Sequence, residues 1–142
     1  MIGKTMSKKI TERTFITEHT LELRHAPTGK FLDERGALAD HIKANNFFQH
    51  WQIQENTISF FDGEKGIQTK GAVVSYKNIA FLTYKPSSQN YFKEQALSFW
   101  KMLLKYKNYT IPEINRFGAR TRCYIPSKLE FQEINNIIYS IH

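Results

Sequence analysis

Hydrophobic and polar positions change period along the chain, and the period divides it into strands and helices. From Arg13 to His25 the alternation is strict: Phe15, Thr17, His19, Leu21, Leu23 and His25 share one face, while Glu18, Thr20, Glu22 and Arg24 share the other. A period of two predicts a half-buried strand. Pro27, Thr28 and Gly29 punctuate; Phe31, Leu38 and Ile42 then recur at helical spacing until Asn45 and Asn46 signal an end, so a helix of about three to four turns follows. Short β-type segments fill the next stretch, predicted over 48–54, 57–62, 67–76 and 79–85, with turn residues at Glu55-Asn56, Asp62 to Gly66 and Lys77-Asn78. The two-residue link at Lys77-Asn78 is the clearest hairpin signal.

Pro86, Ser87 and Ser88 end that run, and Asn90 can cap a second helix. Its apolar stripe is Phe92, Ala96, Phe99, Trp100, Leu103 and Leu104, opposite Lys101 and Lys105. After Pro112 a long strand over 113–125 resumes alternation, with Asn115, Phe117, Ala119, Thr121, Cys123 and Ile125 assigned to the core side. Pro126 breaks it, and Ser127 with Glu130 reads as a capping box for a last helix built on Phe131, Ile134, Ile137, Ile138 and Ile141. The order is β-α-β-β-β-β-α-β-α. Runs of strands flanked by separate helices predict an α+β fold: an antiparallel sheet of about five to six strands with helices packed on one face. Residues 1–12 lack periodicity and are expected to form a flexible tail, leaving 13–142 as a single domain.

Length and composition agree with an ordered fold. A chain of 142 residues with 41% hydrophobic content, eleven Phe, seven Tyr and two Trp has ample material for one core. Cys123 is the only cysteine, so neither a disulfide framework nor a zinc site is expected, and a reducing, cytoplasmic setting is the simplest expectation. The first thirteen residues lack a signal-peptide apolar run and no stretch approaches the ~18 apolar residues of a spanning helix, so no membrane association is expected.

The net charge of +7 is uneven. Residues 1–71 hold ten Lys or Arg against nine Asp or Glu, whereas 72–142 hold ten against Glu94, Glu113, Glu130 and Glu133. A basic second half attracts anionic partners, and equally it keeps a small protein soluble. The last strand concentrates the excess: Arg116, Gly118, Arg120, Arg122 and Tyr124 fall on one face at about 6.6 Å intervals. Guanidiniums bind phosphate or carboxylate bidentately, and an adjacent ring can stack. The competing reading is a solvated outer face whose arginines discourage edge pairing. Lys101 and Lys105 extend the candidate anionic-ligand site if the second helix flanks that strand.

The segment Arg116-Phe117-Gly118-Ala119-Arg120-Thr121 resembles the R-x-G-x-R-Y-x-N motif of a sporadically distributed, uncharacterised prokaryotic family. The resemblance spans about residues 79–125, with Thr121 and Cys123 standing where that family usually shows Tyr and Asn. It implies the sheet-plus-helices layout and no activity, cofactor or site.

Other chemistry is sparse. His19, His25, His41 and His50 lack metal-ligand spacing, so no metal or other cofactor is expected. Cys123, on the side assigned to the core, reads as a small buried hydrophobe rather than a nucleophile. No catalytic residue is assigned. The aromatic load at Phe47, Phe48, Trp51, Phe60, Phe61, Tyr76, Phe81 and Tyr84 exceeds what one sheet face holds, so some rings must face outward. The leading expectation is a non-enzymatic interaction or regulatory domain, binding a protein partner or forming a homodimer through an aromatic sheet face, with an arginine-lined strand for an anionic ligand. The alternatives are a nucleic-acid-binding module, and a small metal-independent nuclease with His25 or His50 as base.

Overall fold

The computed structural model describes residues 16–63, 69–84, 89–124 and 130–141. Its elements are β1 (Ile16–His25), α1 (Lys30–Ala44), β2 (His50–Ile53), β3 (Thr57–Asp62), β4 (Lys70–Ser75), β5 (Asn78–Tyr84), α2 (Gln89–Leu104), β6 (Ile114–Tyr124) and α3 (Phe131–Ile141). The six strands form one open antiparallel sheet in the order β2-β3-β4-β5-β1-β6, an α+β fold with the element order the periodicities predict. The chain separates into two compact units, one spanning residues 16–123 and one that includes 124–142. The expected tail at 1–12 lies outside the described residues.

Register fixes which side chains share a face. Leu23 lies opposite Ile79 and Leu21 opposite Phe81; Phe81 and Ile79 in turn face Ala72 and Val74, which face Phe60 and Ile58. This row is the floor of the core, and α1 and α2 lie over it. Phe31, Leu38 and Ile42 of α1 and Ala96, Phe99, Met102 and Leu103 of α2 are buried against it. At about 1.5–3 kcal/mol for each fully buried large side chain, this layer is the main source of stability. The rings are arranged around Phe81, which meets Phe99 at 5.3 Å, Phe92 at 6.3 Å and Phe47 at 6.4 Å between centroids. The helices are tied together where the His41 Nε2–H donates to the Met102 carbonyl at 3.0 Å. Asn46, at φ 52°, stops α1 in the left-handed conformation that Asn tolerates, as its sequence position predicts.

Several local expectations shift. Phe47 and Phe48 precede the short β2 and turn into the core instead of extending the strand. The β4–β5 hairpin turns at Tyr76-Lys77, one residue earlier than expected, because Ser75 Oγ accepts the Asn78 backbone N–H at 3.0 Å and Ser75 pairs with Asn78 across the link. Leu104, assigned to the apolar stripe of α2, is 65% exposed, and Met102 takes its place inside.

In the second unit, α3 exposes Phe131 and Tyr139 and half-buries Ile134 and Asn135. At its start Glu133 Oε2 accepts the Glu130 backbone N–H at 2.9 Å and the Ile134 N–H donates to the Glu130 carbonyl, so Glu130 occupies the cap position rather than the third helical position expected of it. Ser127 lies outside the described residues.

The largest correction concerns β6. All eleven of its residues are exposed, including Phe117 at 63% and Cys123, which is a free surface thiol rather than a buried hydrophobe. Two helices, each about 10–12 Å across, cover about 20–24 Å of sheet. Six strands at ~4.8 Å spacing, with side chains at both margins, exceed that width. Since α1 lies over β2 and β3 and α2 over β5 and β1, β6 projects beyond the helical layer.

Candidate anion-binding site

The face of the sheet away from α1 and α2 belongs to the other half of each alternation. Glu22 lies opposite Ala80, Thr20 opposite Leu82 and Glu18 opposite Tyr84, and Ala80 and Leu82 face Val73 and Gly71. β6 is the sheet neighbour of β1; just beyond their ends the Ala26 backbone N–H donates to the Glu113 carbonyl at 3.0 Å, and across the pair His19 Nδ1 lies 3.0 Å from Thr121 Oγ1. Because His19 stacks on Phe92 of α2, Thr121 belongs to the helix side. Arg116, Gly118, Arg120 and Arg122 therefore face away from the helices.

There they meet β1. Thr20, Glu22 and Arg24 together with Arg116, Gly118, Ala119 and Arg120 line a shallow groove of about 370 Å³. It holds three guanidiniums and one carboxylate, a surplus of two positive charges. Glu22 accepts from Arg24 Nε at 3.0 Å and from Asn78 Nδ2 at 3.5 Å. The Arg24 hydrogen bond holds the Glu22 carboxyl below the ordinary carboxylate range; the charges of Arg24 and Arg116 act in the same sense and partial burial opposes them. Gly118 leaves a gap between Arg116 and Arg120. A Cβ there would meet no atom within 4 Å, so crowding does not require the glycine. Farther along β1, Thr20 Oγ1 donates to Glu18 Oε1 at 3.1 Å, and both residues are buried.

The structure thus brings Arg116 and Arg120 into one groove and places Arg122 and Tyr124, both exposed, farther along the same strand. Lys101 and Lys105 do not join them: α2 packs on the helix side through Phe99, Met102 and Leu103, and both lysines are exposed across the sheet from the arginines. Sequence reasoning missed Thr20, Glu22 and Arg24 as partners. Their shared face was visible in the alternation, but that β1 would be the neighbour of β6 is a property of the topology.

The two histidines considered as bases lie elsewhere. His25 is 2% exposed on the helix side, where its Nδ1–H donates to the Ala26 carbonyl at 2.8 Å. His50 stacks on Phe61 in β2, at the other edge of the sheet and about 24 Å from β6 at ~4.8 Å per strand step. The aromatic load also resolves differently from a single outward face. Phe60 and Phe81 are buried and Phe47, Phe48 and Tyr76 pack against the core, whereas Trp51 and Phe61 are exposed and Tyr84 is half-buried on the open face. A second hollow, of about 320 Å³, lies at the end of α2 between Leu103 and Ile111 and is lined by Tyr106 and Tyr109.

No protein-family model, curated protein or solved structure matches this chain.

Proposed function

We propose that this protein is a non-enzymatic binding domain that receives an anionic partner along the β1–β6 strip. The observation that carries the reading is the convergence of Arg24, Arg116 and Arg120 on one open groove with a single carboxylate among them. Guanidiniums supply planar, paired donors to carboxylate or phosphate oxygens, and their exposure keeps the cost of desolvation low. The imidazoles of His19, His25 and His41 lie on the helix side and that of His50 at the other edge, which favours binding over phosphodiester cleavage by these groups at this groove. Among the described residues no helix is long and apolar enough to cross a membrane.

Fluorescence anisotropy with labelled polyglutamate and labelled oligothymidylate, at low and near-physiological salt, tests the proposal. Binding of at least one probe is expected, weakening as salt rises, lost in Arg116→Ala/Arg120→Ala and retained in Lys101→Ala/Lys105→Ala. Equal losses in the two double variants, or no binding by folded protein, would overturn it.

A further inference from the structure

Among the described residues no strand pairs with the outer side of β6, whose eleven residues are all exposed. At about 3.3 Å per residue this edge is roughly 36 Å long, and alternate backbone N–H and C=O groups point away from β1 along it. The opposite edge, β2, has four residues. A long edge with no described strand beside it is a template for a further strand, either from a second copy of the chain or from another protein.

The arginine row weighs against a second copy in the three registers of greatest overlap, those centred on 118, 119 and 120. When β6 pairs antiparallel with its own copy, a two-fold axis at residue 118 sets Arg116 against Arg120, and an axis at 119 sets Arg116 against Arg122. At 120 Arg120 faces itself, at 121 Arg120 faces Arg122, and at 122 Arg122 faces itself. Like charges directly opposite on one face destabilise a pair, and these registers include the one of greatest overlap. The same row favours a strand that carries a carboxylate at every second position. A nucleic acid fits less well: the ring in the row, Tyr124, stands at the end of the strand beyond Arg122, Gly118 rather than a ring separates the two groove arginines, and the exposed Phe117 belongs to the helix side.

We infer that β6 receives an extended acidic protein segment as a seventh strand, with backbone hydrogen bonds along the edge and alternate carboxylates set against Arg116 and Arg120. This rests on the anionic-partner reading and names the chemistry of that partner.

Three labelled probes test it: a peptide as long as β6 that alternates Glu with Thr, the same peptide with Pro replacing every second Thr, and oligothymidylate. The alternating peptide is expected to bind at least tenfold more tightly than its proline counterpart, to slow amide hydrogen exchange in β6, and to lose its binding in Arg116→Glu/Arg120→Glu. Equal affinity for the two peptides with unchanged exchange overturns strand addition and leaves the anionic-partner reading standing. Preference for oligothymidylate overturns the acidic-protein choice alone. Failure of all three probes overturns both readings. A dimer in light scattering whose β6 amides are already protected would put a second copy on the edge and refute the inference.

Discussion

Two phenylalanines that alternation assigns to the same side of the sheet should respond to truncation in opposite ways. Phe81 is fully buried, with Phe47, Phe92 and Phe99 around it, whereas Phe117 is 63% exposed on the uncovered β6. Phe81→Ala removes a ring from a close-packed site that two helices and four strands hold open, so the loss of transfer energy and the remaining cavity together should cost about 3–5 kcal/mol. At roughly 3 °C per kcal/mol for a chain of this size, Tm should fall by about 10–15 °C. Phe117→Ala should stay within about 0.5 kcal/mol, as surface substitutions do. Urea unfolding followed by tryptophan fluorescence, with the slopes compared to confirm that only the midpoint moves, measures both. A cost above about 2 kcal/mol for Phe117→Ala would mean that β6 is covered in solution, and the arguments from its open edge and groove would fail together. A cost below about 1 kcal/mol for Phe81→Ala would refute the placement of the core.

Four further outcomes follow from three groups. Glu22→Gln should raise affinity for an anionic probe roughly two- to fivefold in anisotropy titrations, because Arg24 and Arg116 lose their neutralising neighbour. In acid unfolding the wild type should draw stability from Glu22 above the ordinary carboxylate pKa and lose it as pH falls through the lowered folded value; the glutamine variant should lack that part of the slope. Tyr109→Phe should leave stability unchanged or raise it by about 1–2 kcal/mol in thermal melts, since the buried Tyr109 hydroxyl has no hydrogen-bond partner among the described residues. Cys123 should react with a thiol reagent in the native protein as fast as in urea, because it is exposed; protection would place it inside.

The parts of the fold legible in the sequence are those fixed by local period and turn chemistry. Strict alternation through Leu21 and Leu23 gives β1, the Phe99 and Leu103 stripe gives α2, and Asn46 ends α1 in the left-handed conformation that few residues adopt. What stayed hidden depends on neighbours distant in sequence. Alternation assigns Phe117 and Cys123 a side, but whether that side is covered depends on how far two helices reach across six strands. The same holds for the candidate site. The row of Arg116, Arg120 and Arg122 is visible in the sequence; the contribution of Arg24 and Glu22 requires knowing that the first strand pairs with the last, and the exclusion of Lys101 and Lys105 requires knowing which face α2 covers. The expected start of α3 at Ser127 follows residue preference for the cap, whereas the bond observed joins the Glu130 backbone N–H to Glu133, a pair with the same spacing but without a preferred capping residue.

The most direct measurement is an isotope-edited NMR titration of the full chain with an acidic peptide, following backbone amides and arginine Nε–H signals. Binding at the β1–β6 strip predicts the largest shifts at Thr20, Arg24, Arg116, Gly118 and Arg120, saturating together and collapsing in high salt. Shifts centred on Lys101 and Lys105 in the helix layer, or none at a large excess of peptide, would contradict it.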